Sequence, residues 1–473
     1  MLPRVIRLTF WGAAQEVTGS LHQLTVNGKH VLLDCGMYQG RRKEAERQNR
    51  EFPFAPSSIH AVLLSHAHID HSGLLPLLVK EGFRGPIYTT AATADLCNAM
   101  LHDTAHILEN DAAFVNKRQA RRNLGEVEAL PLFDDADVED TLKLFRRAPY
   151  HAPQSVSEGV TYTAYDAGHM LGSASLALDL QPSDGGKRVR LAFSGDVGRP
   201  GLPIVRDPEP LLPVDYLILE STYGDRLHDP DEDATAKLAD VVTRTVKRGG
   251  KLVIPAFAVG RVQQIVLKLH ELMNARRIPS VPIFVDSPLA VNVTRVFHAH
   301  PECFDDEVRG YLSNGLNPFG FARLQYIRDA ADSKKLNDLD GPFVVISPSG
   351  MLEAGRVLHH LRNNIGDSRN AVLITGYQAE NTLGRKLLEG RKEVKIFGDP
   401  LTVRAEIDVI NALSGHADRG ELLAWMEPMA ASLKKVFLVH GEPKQSAALA
   451  AAIRDRYKVE AIPAIRGAHF DLT

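Results

Sequence analysis

One short stretch of the sequence, Ser65-His66-Ala67-His68-Ile69-Asp70-His71, concentrates residues that could do chemistry. Three histidines and an aspartate fall within six positions, and these are side chains that proteins use to hold metal ions. His66 and His68 are two positions apart, so an extended backbone points both side chains the same way. Asp70 and His71 follow where the chain curls, and they face a second point nearby. The stretch therefore predicts one loop that supplies ligands to two adjacent metal ions.

The elements on either side of this stretch can hold it in place. Ala61-Val62-Leu63-Leu64 is an apolar run typical of a buried strand, and Leu74-Leu75-Pro76-Leu77-Leu78 is typical of the start of a helix. A loop between a strand and a helix is where a rigid scaffold usually presents functional groups. A surface histidine cluster or a pH-sensitive loop is the alternative, but neither explains the aspartate or this setting.

Three further residues extend the metal-binding pattern. His169 lies between glycines in residues 167–173, and Asp196 follows an apolar strand. Together they supply a third nitrogen for one metal ion and a carboxylate able to bridge two. Asp34 ends a predicted strand, where it would either cap a helix or orient a metal ligand. Histidine and aspartate without sulfur suit zinc, with manganese or iron as the alternatives.

Length and composition exclude several classes of protein. The 473 residues predict about two domains. Lysine plus arginine number 55 and aspartate plus glutamate 58, so a nucleic acid would have to bind a local basic patch. Three separated cysteines argue against thiolate ligands and for a reducing compartment. The first residues lack a signal-peptide pattern, and no apolar run reaches the ~18 residues of a membrane span, so we expect a cytoplasmic protein without membrane contact.

The order of predicted elements indicates a metal-binding domain interrupted by an insertion. Residues 4–34 are typical of a β-meander, and from about 225 to 395 helices alternate with apolar strands. That alternation predicts a mostly parallel sheet flanked by helices. Ligand-type residues return afterwards, at His416 and His440. We therefore predict a metal-binding domain formed by residues 1–221 and 398–473, with an inserted domain of residues 222–397.

The same residues match a known family. Over nearly its whole length the chain resembles the β-CASP branch of the metallo-β-lactamase superfamily. Residues 66–71 match the HxHxDH motif of the superfamily, its other motifs match Asp34, His169 and Asp196, and the three motifs special to the branch match Glu220, His416 and His440. A histidine at the last of these positions is typical of members that act on RNA. Segments 255–261, 347–351 and 376–378 look like those of bacterial and archaeal relatives of the pre-mRNA 3′-end processing endonuclease.

The resemblance implies a fold and a set of metal ligands. The fold is of the α/β class, an αββα sandwich of two packed sheets into which a β-CASP domain is inserted. Two zinc ions per chain are implied, with manganese as the alternative metal. The implied ligands of one ion are His66, His68 and His169, those of the other are Asp70, His71 and His440, and Asp196 bridges the two.

The resemblance also implies an activity, that of a zinc-dependent ribonuclease which hydrolyses phosphodiester bonds of single-stranded RNA through a metal-bridging hydroxide. Asp70 then belongs to the catalytic set as well as to the metal site. His416 is the implied general acid, and Glu220 holds its ring. We expect an endonuclease, although exonuclease action stays open. An exchange in which His416 binds metal and His440 lies outside also stays open.

Other functions and assemblies are left open by the same residues. A phosphodiesterase acting on DNA or on a small molecule could use the same dinuclear site. A catalytically inactive scaffold is disfavoured, because every expected ligand is present in the sequence. The oligomeric state is undetermined, with a homodimer as one form.

The predicted inserted domain contains residues that could contact a substrate phosphate. Ser347, Ser349 and Gly350 follow a predicted strand, where exposed backbone N–H groups could receive a phosphate. A plain strand-to-helix turn is the alternative. Arg261 opens a predicted helix, and it would contact the RNA backbone or form an internal ion pair.

Overall fold

The structure is a computed structural model, and it describes residues 6–40, 42–121, 128–228, 231–376, 378, 382–410 and 414–473. The chain divides into two compact units: unit 1 comprises residues 1–227 and 416–473, and unit 2 comprises residues 228–415. Within the ranges just given, no helix is long and apolar enough to cross a membrane.

The strands fall into three blocks along the chain. Unit 1 begins with β1 (Ile6–Phe10), β2 (His22–Val26), β3 (Lys29–Leu33), β4 (Ile59–Leu63), β5 (Ile87–Thr89), β6 (Phe145–Arg147), β7 (Gln154–Ser157), β8 (Val160–Asp166), β9 (Ala174–Leu180), β10 (Val189–Phe193) and β11 (Tyr216–Glu220). Unit 2 contains β12 (Leu252–Pro255), β13 (Ile283–Asp286), β14 (Leu324–Ile327), β15 (Val344–Ser347), β16 (Ala371–Ile374), β17 (Glu393–Ile396), β18 (Asp399–Thr402) and β19 (Glu406–Val409). Unit 1 resumes with β20 (Lys435–Val439), β21 (Glu460–Pro463) and β22 (His469–Leu472).

The helices are distributed in the same way. Unit 1 contains α1 (Arg42–Arg50), α2 (Ile69–Ser72), α3 (Leu75–Lys80), α4 (Ala91–Arg121) and α5 (Asp135–Leu142). Unit 2 contains α6 (Asp231–Lys247), α7 (Arg261–Asn274), α8 (Pro288–Ala299), α9 (Asp306–Ser313), α10 (Ala330–Lys335), α11 (Arg356–Asn364) and α12 (Leu383–Leu388). The returning part of unit 1 adds α13 (Arg419–Met426) and α14 (Pro443–Tyr457).

Unit 1 is built on two seven-stranded sheets. The first has the order β22-β1-β2-β3-β4-β5-β6, and the second has the order β21-β20-β11-β10-β9-β8-β7. In the first sheet the β3, β4, β5 and β6 neighbours are parallel, and in the second sheet β10, β11, β20 and β21 are parallel. The carboxyl ends of parallel neighbours share one edge of a sheet, so residues that follow these strands come close together.

The core of unit 1 lies between the two sheets. Alternate residues of each strand face inward, so Leu33 and Leu63 of the first sheet pack in one cluster with Phe193 and Ile218 of the second. On the opposite face of the second sheet, residues such as Leu219 pack against α13 and α14. On the other face of the first sheet Leu32 and Val62 are fully buried, and the neighbouring helices α3 and α4 bury Leu78 and Leu96. The prediction of an αββα sandwich is confirmed.

Unit 2 is organised on a six-stranded parallel sheet of order β14-β13-β15-β12-β16-β19. One face packs Ile254 against Ile265 of α7, and the other packs Val345 against Leu361 of α11. A hairpin of β17 and β18 stands apart from that sheet. The prediction of a mostly parallel sheet flanked by helices is confirmed.

The predicted domain boundaries fall after residues 221 and 397, and the boundaries between the compact units lie later in the chain. The chain passes from unit 1 to unit 2 after residue 227 and returns to unit 1 after residue 415. Tyr223 still pairs with Asp418 in an isolated bridge within unit 1. β18 pairs with β17, and β19 is the edge strand beside β16, so this part of the chain belongs to unit 2.

Candidate metal centre

The loop after β4 presents His66 and His68 side by side. Nε2 of His66 and Nδ1 of His68 lie 3.1 Å apart, and Nε2 of His169 lies 3.2 Å from the same His68 nitrogen. Oδ2 of Asp196 lies 3.5 Å from Nε2 of His66 and 3.6 Å from Nε2 of His169. One atom from each of the four side chains lies within 4.8 Å of the others, a set of donors that can hold one metal ion.

A second group of donors lies beside the first. Nε2 of His440 lies 3.3 Å from Nε2 of His71 and 3.4 Å from Oδ2 of Asp70. Oδ2 of Asp196 lies 3.3 Å from Nε2 of His71, so this one oxygen is close to nitrogens of both groups. One carboxylate, that of Asp196, is therefore shared between the two groups of donors.

Asp34 fixes the ring of His71. Its Oδ2 lies 2.6 Å from Nδ1 of His71 and accepts hydrogen bonds from the hydroxyls of Ser20 and Ser65, while its Oδ1 accepts one from the backbone N–H of Ser65. Among the described residues, the Asp34 side chain caps no helix. Of the two roles expected for Asp34, its contacts therefore fit the one in which it orients a metal ligand. With Nδ1 engaged by a carboxylate, Nε2 is the nitrogen that faces the other donors.

Close backbone contacts position two further histidines of the cluster, His169 and His440. His169 follows Gly168, which has a φ of +64°. A Cβ added to Gly168 would lie 2.6 Å from the backbone nitrogen of Pro208, so the position excludes a side chain. The backbone N–H of His169 donates to Oγ of Ser173. His440 follows β20 with a φ of +50°, and its N–H donates to the carbonyl of Ala13.

Glu220 and His416 form a pair beside these donors. Nδ1 of His416 lies 3.2 Å from Oε2 of Glu220, whose side chain is fully buried. The backbone N–H of Val197 donates to Oε1 of Glu220, and the hydroxyl of Thr222 donates to Oε2. Asp418, two residues after His416, forms a capping box with Glu421 at the start of α13, which holds the chain next to His416. The His416 side chain keeps 21% exposure, whereas four other histidines of the cluster keep at most 4%, namely His66, His71, His169 and His440.

A third possible donor set overlaps the second. Atoms of Asp196, Glu220, His416 and His440 also lie within 4.8 Å of one another. Among the residues that the structure describes, His440 thus belongs to two sets, whereas His416 belongs only to the one that contains Glu220. The Nε2 contacts of His440 with Asp70 and His71 favour His440 over His416 as the partner of those two residues.

The charges of the cluster suit a cation. Burial and the nearby His71 lower the pKa of His66 well below its ordinary value, and burial lowers the pKa of His68 to about 4, so both imidazoles are neutral and can offer lone pairs. Burial opposes a charge on His71, but Asp196 and Asp34 raise its pKa well above the ordinary value. These two carboxylates favour a positive charge between them, which a metal ion would supply in place of the proton.

The carboxylates near His416 act in the same direction. Burial alone would lower the pKa of His416, but Glu220 and Asp196 outweigh it and raise that pKa to about 9. His416 is therefore in its protonated, imidazolium form at neutral pH, and it lies next to the candidate metal donors.

The residues predicted to contact a phosphate lie in unit 2 and are mostly engaged internally. Ser347 is fully buried, and its hydroxyl donates to the carbonyl of Asp286. Oγ of Ser349 accepts from the N–H of Glu353, and the carbonyl of buried Gly350 accepts from the Gln378 amide. Arg261 is 8% exposed, and its guanidinium donates to Oε1 of Gln264. These contacts fit the turn interpretation better than a phosphate cradle. Of segment 376–378, Tyr377 lies outside the described residues.

Three hydroxyl residues contact the candidate centre but are not predicted to do so from the sequence. Ser20 and Ser65 hold Asp34, and Thr222 lies between Glu220 and His440. Serine and threonine are too common to stand out alone. The signal available was position, because Ser65 precedes His66 directly and Thr222 follows Glu220 by two residues.

Domain families match three parts of the chain. Residues 23–182 match a metallo-beta-lactamase superfamily domain, residues 262–387 a Beta-Casp domain, and residues 400–463 a Zn-dependent metallo-hydrolase RNA specificity domain.

Individual relatives match nearly the whole chain. Ribonuclease TTHA0252 of Thermus thermophilus is 37% identical over 447 residues, which cover 94% of this chain and 95% of that protein. The transcription termination factor FttA of Methanocaldococcus jannaschii is 31% identical over 96% of this chain and 69% of its own length. An RNase J-like protein of the same organism is 29% identical over 98% of this chain and 99% of its own length.

One solved structure shares the fold. A crystal structure of a protein of unknown function from Enterococcus faecalis aligns with a TM-score of 0.52 at 13% identity, covering 99% of this chain and 100% of that one. At this identity the likeness concerns the fold alone.

Proposed function

Because the chain belongs to the β-CASP branch of the metallo-β-lactamase superfamily, we propose that it is a zinc-dependent ribonuclease that hydrolyses phosphodiester bonds of single-stranded RNA. The family and the ribonuclease relatives make the chain a metal-dependent nuclease, to which we add zinc as the metal, single-stranded RNA as the substrate and the mechanism below. The observation that carries the proposal is the position of Asp196 Oδ2, within 3.6 Å of histidine nitrogens from both donor groups. That arrangement fits two metal ions side by side.

The donor set fits a pair of zinc ions. One ion would be held by His66, His68 and His169 and the other by Asp70, His71 and His440, with Asp196 shared. The donors are nitrogen and carboxylate oxygen without sulfur, which suits zinc, with manganese as the alternative. When bound, two zinc ions lower the pKa of water towards ~7 and stabilise negative charge on phosphoryl oxygens.

The residues beside the metal donors supply the proton that the reaction needs. Cleavage between phosphorus and the 3′-oxygen leaves an alkoxide, which is a poor leaving group unless it is protonated. Nδ1 of His416 is held by Glu220, so Nε2 is the atom that gives its proton to the 3′-oxygen. The products are a 5′-phosphate on one fragment and a 3′-hydroxyl on the other.

RNA is the substrate that the comparisons favour. Relatives that align over almost the whole chain carry the names ribonuclease and RNase J-like protein, and residues 400–463 match the RNA specificity domain. His440 agrees with this choice, because a histidine at that position is typical of the family members that act on RNA.

A substrate panel tests the proposal. The purified chain is incubated with single-stranded RNA carrying a label at the 5′ or the 3′ end, with DNA of the same sequence, and with a small phosphodiester. We expect RNA to be cleaved at least about tenfold faster than DNA, with 5′-phosphate and 3′-hydroxyl ends. Equal or faster cleavage of DNA or of the small diester would overturn RNA as the substrate, and 2′,3′-cyclic ends would overturn the mechanism.

A further inference from the structure

We infer that Thr222 is a positioning residue, whose single hydroxyl links the metal ligand His440 to the Glu220–His416 pair. Its Oγ1 lies 2.7 Å from Oε2 of Glu220, 3.1 Å from Nδ1 of His440 and 3.0 Å from the His440 carbonyl. The residue is buried, so water does not compete freely for these contacts. The inference rests on the proposed function for the roles of His440 and His416.

The chemistry of the neighbours sets the direction of the hydrogen bonds. Glu220 as a carboxylate only accepts, and the 2.7 Å contact is the shortest one that Thr222 makes, so the hydroxyl proton points to Oε2. The threonine oxygen is then left as an acceptor. The group that faces it is Nδ1 of His440, which must therefore carry the hydrogen.

This direction fixes the form of His440 that a metal ion needs. A neutral imidazole with hydrogen on Nδ1 has its lone pair on Nε2. Nε2 is the atom that lies next to Asp70 and His71. Thr222 thus performs for His440 the task that Asp34 performs for His71, namely to select the tautomer and hold the ring.

The same hydroxyl also holds the carboxylate that orients His416. Glu220 receives the N–H of Val197 on Oε1 and the hydroxyl of Thr222 on Oε2, one donor on each oxygen. Nδ1 of His416 lies 3.2 Å and 3.3 Å from the two oxygens, between these supports. Removal of the hydroxyl therefore frees one side of the carboxylate and one ring nitrogen of His440 together.

The residue before Thr222 provides a matched control. Ser221 is also fully buried, and its hydroxyl donates to the carbonyl of Val439 and lies 2.9 Å from Oγ of Ser446. Neither contact is made with a predicted metal ligand side chain, with Glu220 or with His416. Ser221→Ala thus removes a buried hydroxyl from the same turn without breaking the link described above.

The experiment compares Thr222→Val, which keeps the shape of the side chain, with Thr222→Ser, which keeps the hydroxyl, and with Ser221→Ala. Zinc affinity is measured by competition with a chromogenic chelator, kcat and KM with single-stranded RNA, and folding by thermal unfolding. For Thr222→Val we expect one of the two zinc ions to bind roughly 10–100-fold more weakly. We also expect kcat to fall more than KM changes, with both values within about threefold of wild type in Thr222→Ser.

Several outcomes would overturn the inference. Wild-type zinc affinity and kcat in Thr222→Val would do so, as would equal losses in Ser221→Ala or a lack of rescue in Thr222→Ser. If Thr222→Val does not fold, Thr222→Ala is the second hydroxyl-free variant and is judged in the same way. The chelator competition requires no RNA. A chain that binds zinc but does not cleave RNA would therefore overturn the proposed function, whereas the zinc affinities of the Thr222 variants would still test the inference.

Discussion

Oδ2 of Asp34 lies 2.6 Å from Nδ1 of His71, although 37 positions separate the two residues in the chain. Asp34 follows β3 and His71 lies in α2 beyond β4, and the parallel pairing of these two strands brings both residues to one edge of the sheet. The fold of unit 1 therefore brings together not only the candidate metal donors but also the groups that orient them.

Asp34→Asn is expected to weaken zinc binding without unfolding the chain. The amide keeps one accepting oxygen but places an NH₂ donor where Oδ2 accepted from His71 and two serines, so the His71 ring loses its fixed orientation. We expect zinc affinity to fall roughly 10–100-fold, as measured by chelator competition. Ser20→Ala removes a single donor to Asp34 and should have a smaller effect. Unchanged zinc affinity in Asp34→Asn would show that this contact does not orient a ligand.

His68→Ala is expected to remove metal and activity together. Elemental analysis of the wild-type chain should find close to two zinc ions, and this variant deletes a nitrogen that lies within 3.2 Å of both His66 and His169 donors. His60→Ala is the matched control, because His60 is a half-buried histidine of β4 just before the loop. The control should keep its zinc. A fully loaded wild-type chain with one zinc ion or none would contradict the dinuclear centre.

Much of the fold was accessible from the sequence because its signals are local. The apolar runs at residues 251–255, 283–285, 343–347 and 372–375 correspond to β12, β13, β15 and β16, all of which lie inside the parallel sheet and are apolar on both faces. The strands at the two edges of that sheet, β14 and β19, do not stand out in the sequence in this way. Their residues are only partly buried or exposed, so their sequences lack the same apolar run.

The candidate centre was accessible for a different reason. Metal donors are restricted to a few residue types, so His66 and Asp70 stand out by chemistry even where the backbone is unknown. Hydroxyls are not restricted in this way, and the contact of Thr222 with His440 depends on the pairing of strands β11 and β20. The same limit applies to Ser347, because its position after an apolar run allowed a phosphate contact. Its burial and its hydrogen bond to the Asp286 carbonyl depend on tertiary packing, which the sequence does not display.

Asp166→Asn is expected to change how stability depends on pH. Burial raises the pKa of Asp166 to about 7, so between pH ~4 and ~7 the folded chain binds a proton there that the unfolded chain has released. That contribution to stability is complete below pH ~4 and is lost as the pH rises through about 7. Asparagine carries no charge at any of these pH values and keeps an oxygen to accept from the N–H of Gly168.

Thermal unfolding at pH 5 and pH 8 measures this effect. At pH 8 the variant should gain at least about 2 °C relative to the wild type, and the gain should shrink at pH 5. Asp184→Asn is the matched control, because exposed Asp184 likewise accepts from the N–H of a glycine two residues later, Gly186. A gain that is equal at both pH values would mean that the Asp166 charge is not the cause.

The last prediction separates proton transfer from metal binding. His416→Ala should keep about two zinc ions while kcat falls roughly 10²–10⁴-fold, because the variant loses the proton donor and no donor of the two proposed zinc sites. Glu220→Gln should lose less, since the imidazole remains but its Nδ1 no longer faces a carboxylate. The double variant should be little worse than His416→Ala, because residues that act as a unit are not additive. His440→Ala is the counterpart and should lose zinc, since its Nε2 lies beside Asp70 and His71. Zinc content of the alanine variants decides between the two histidines: loss of metal from His416→Ala with full retention in His440→Ala would exchange their roles.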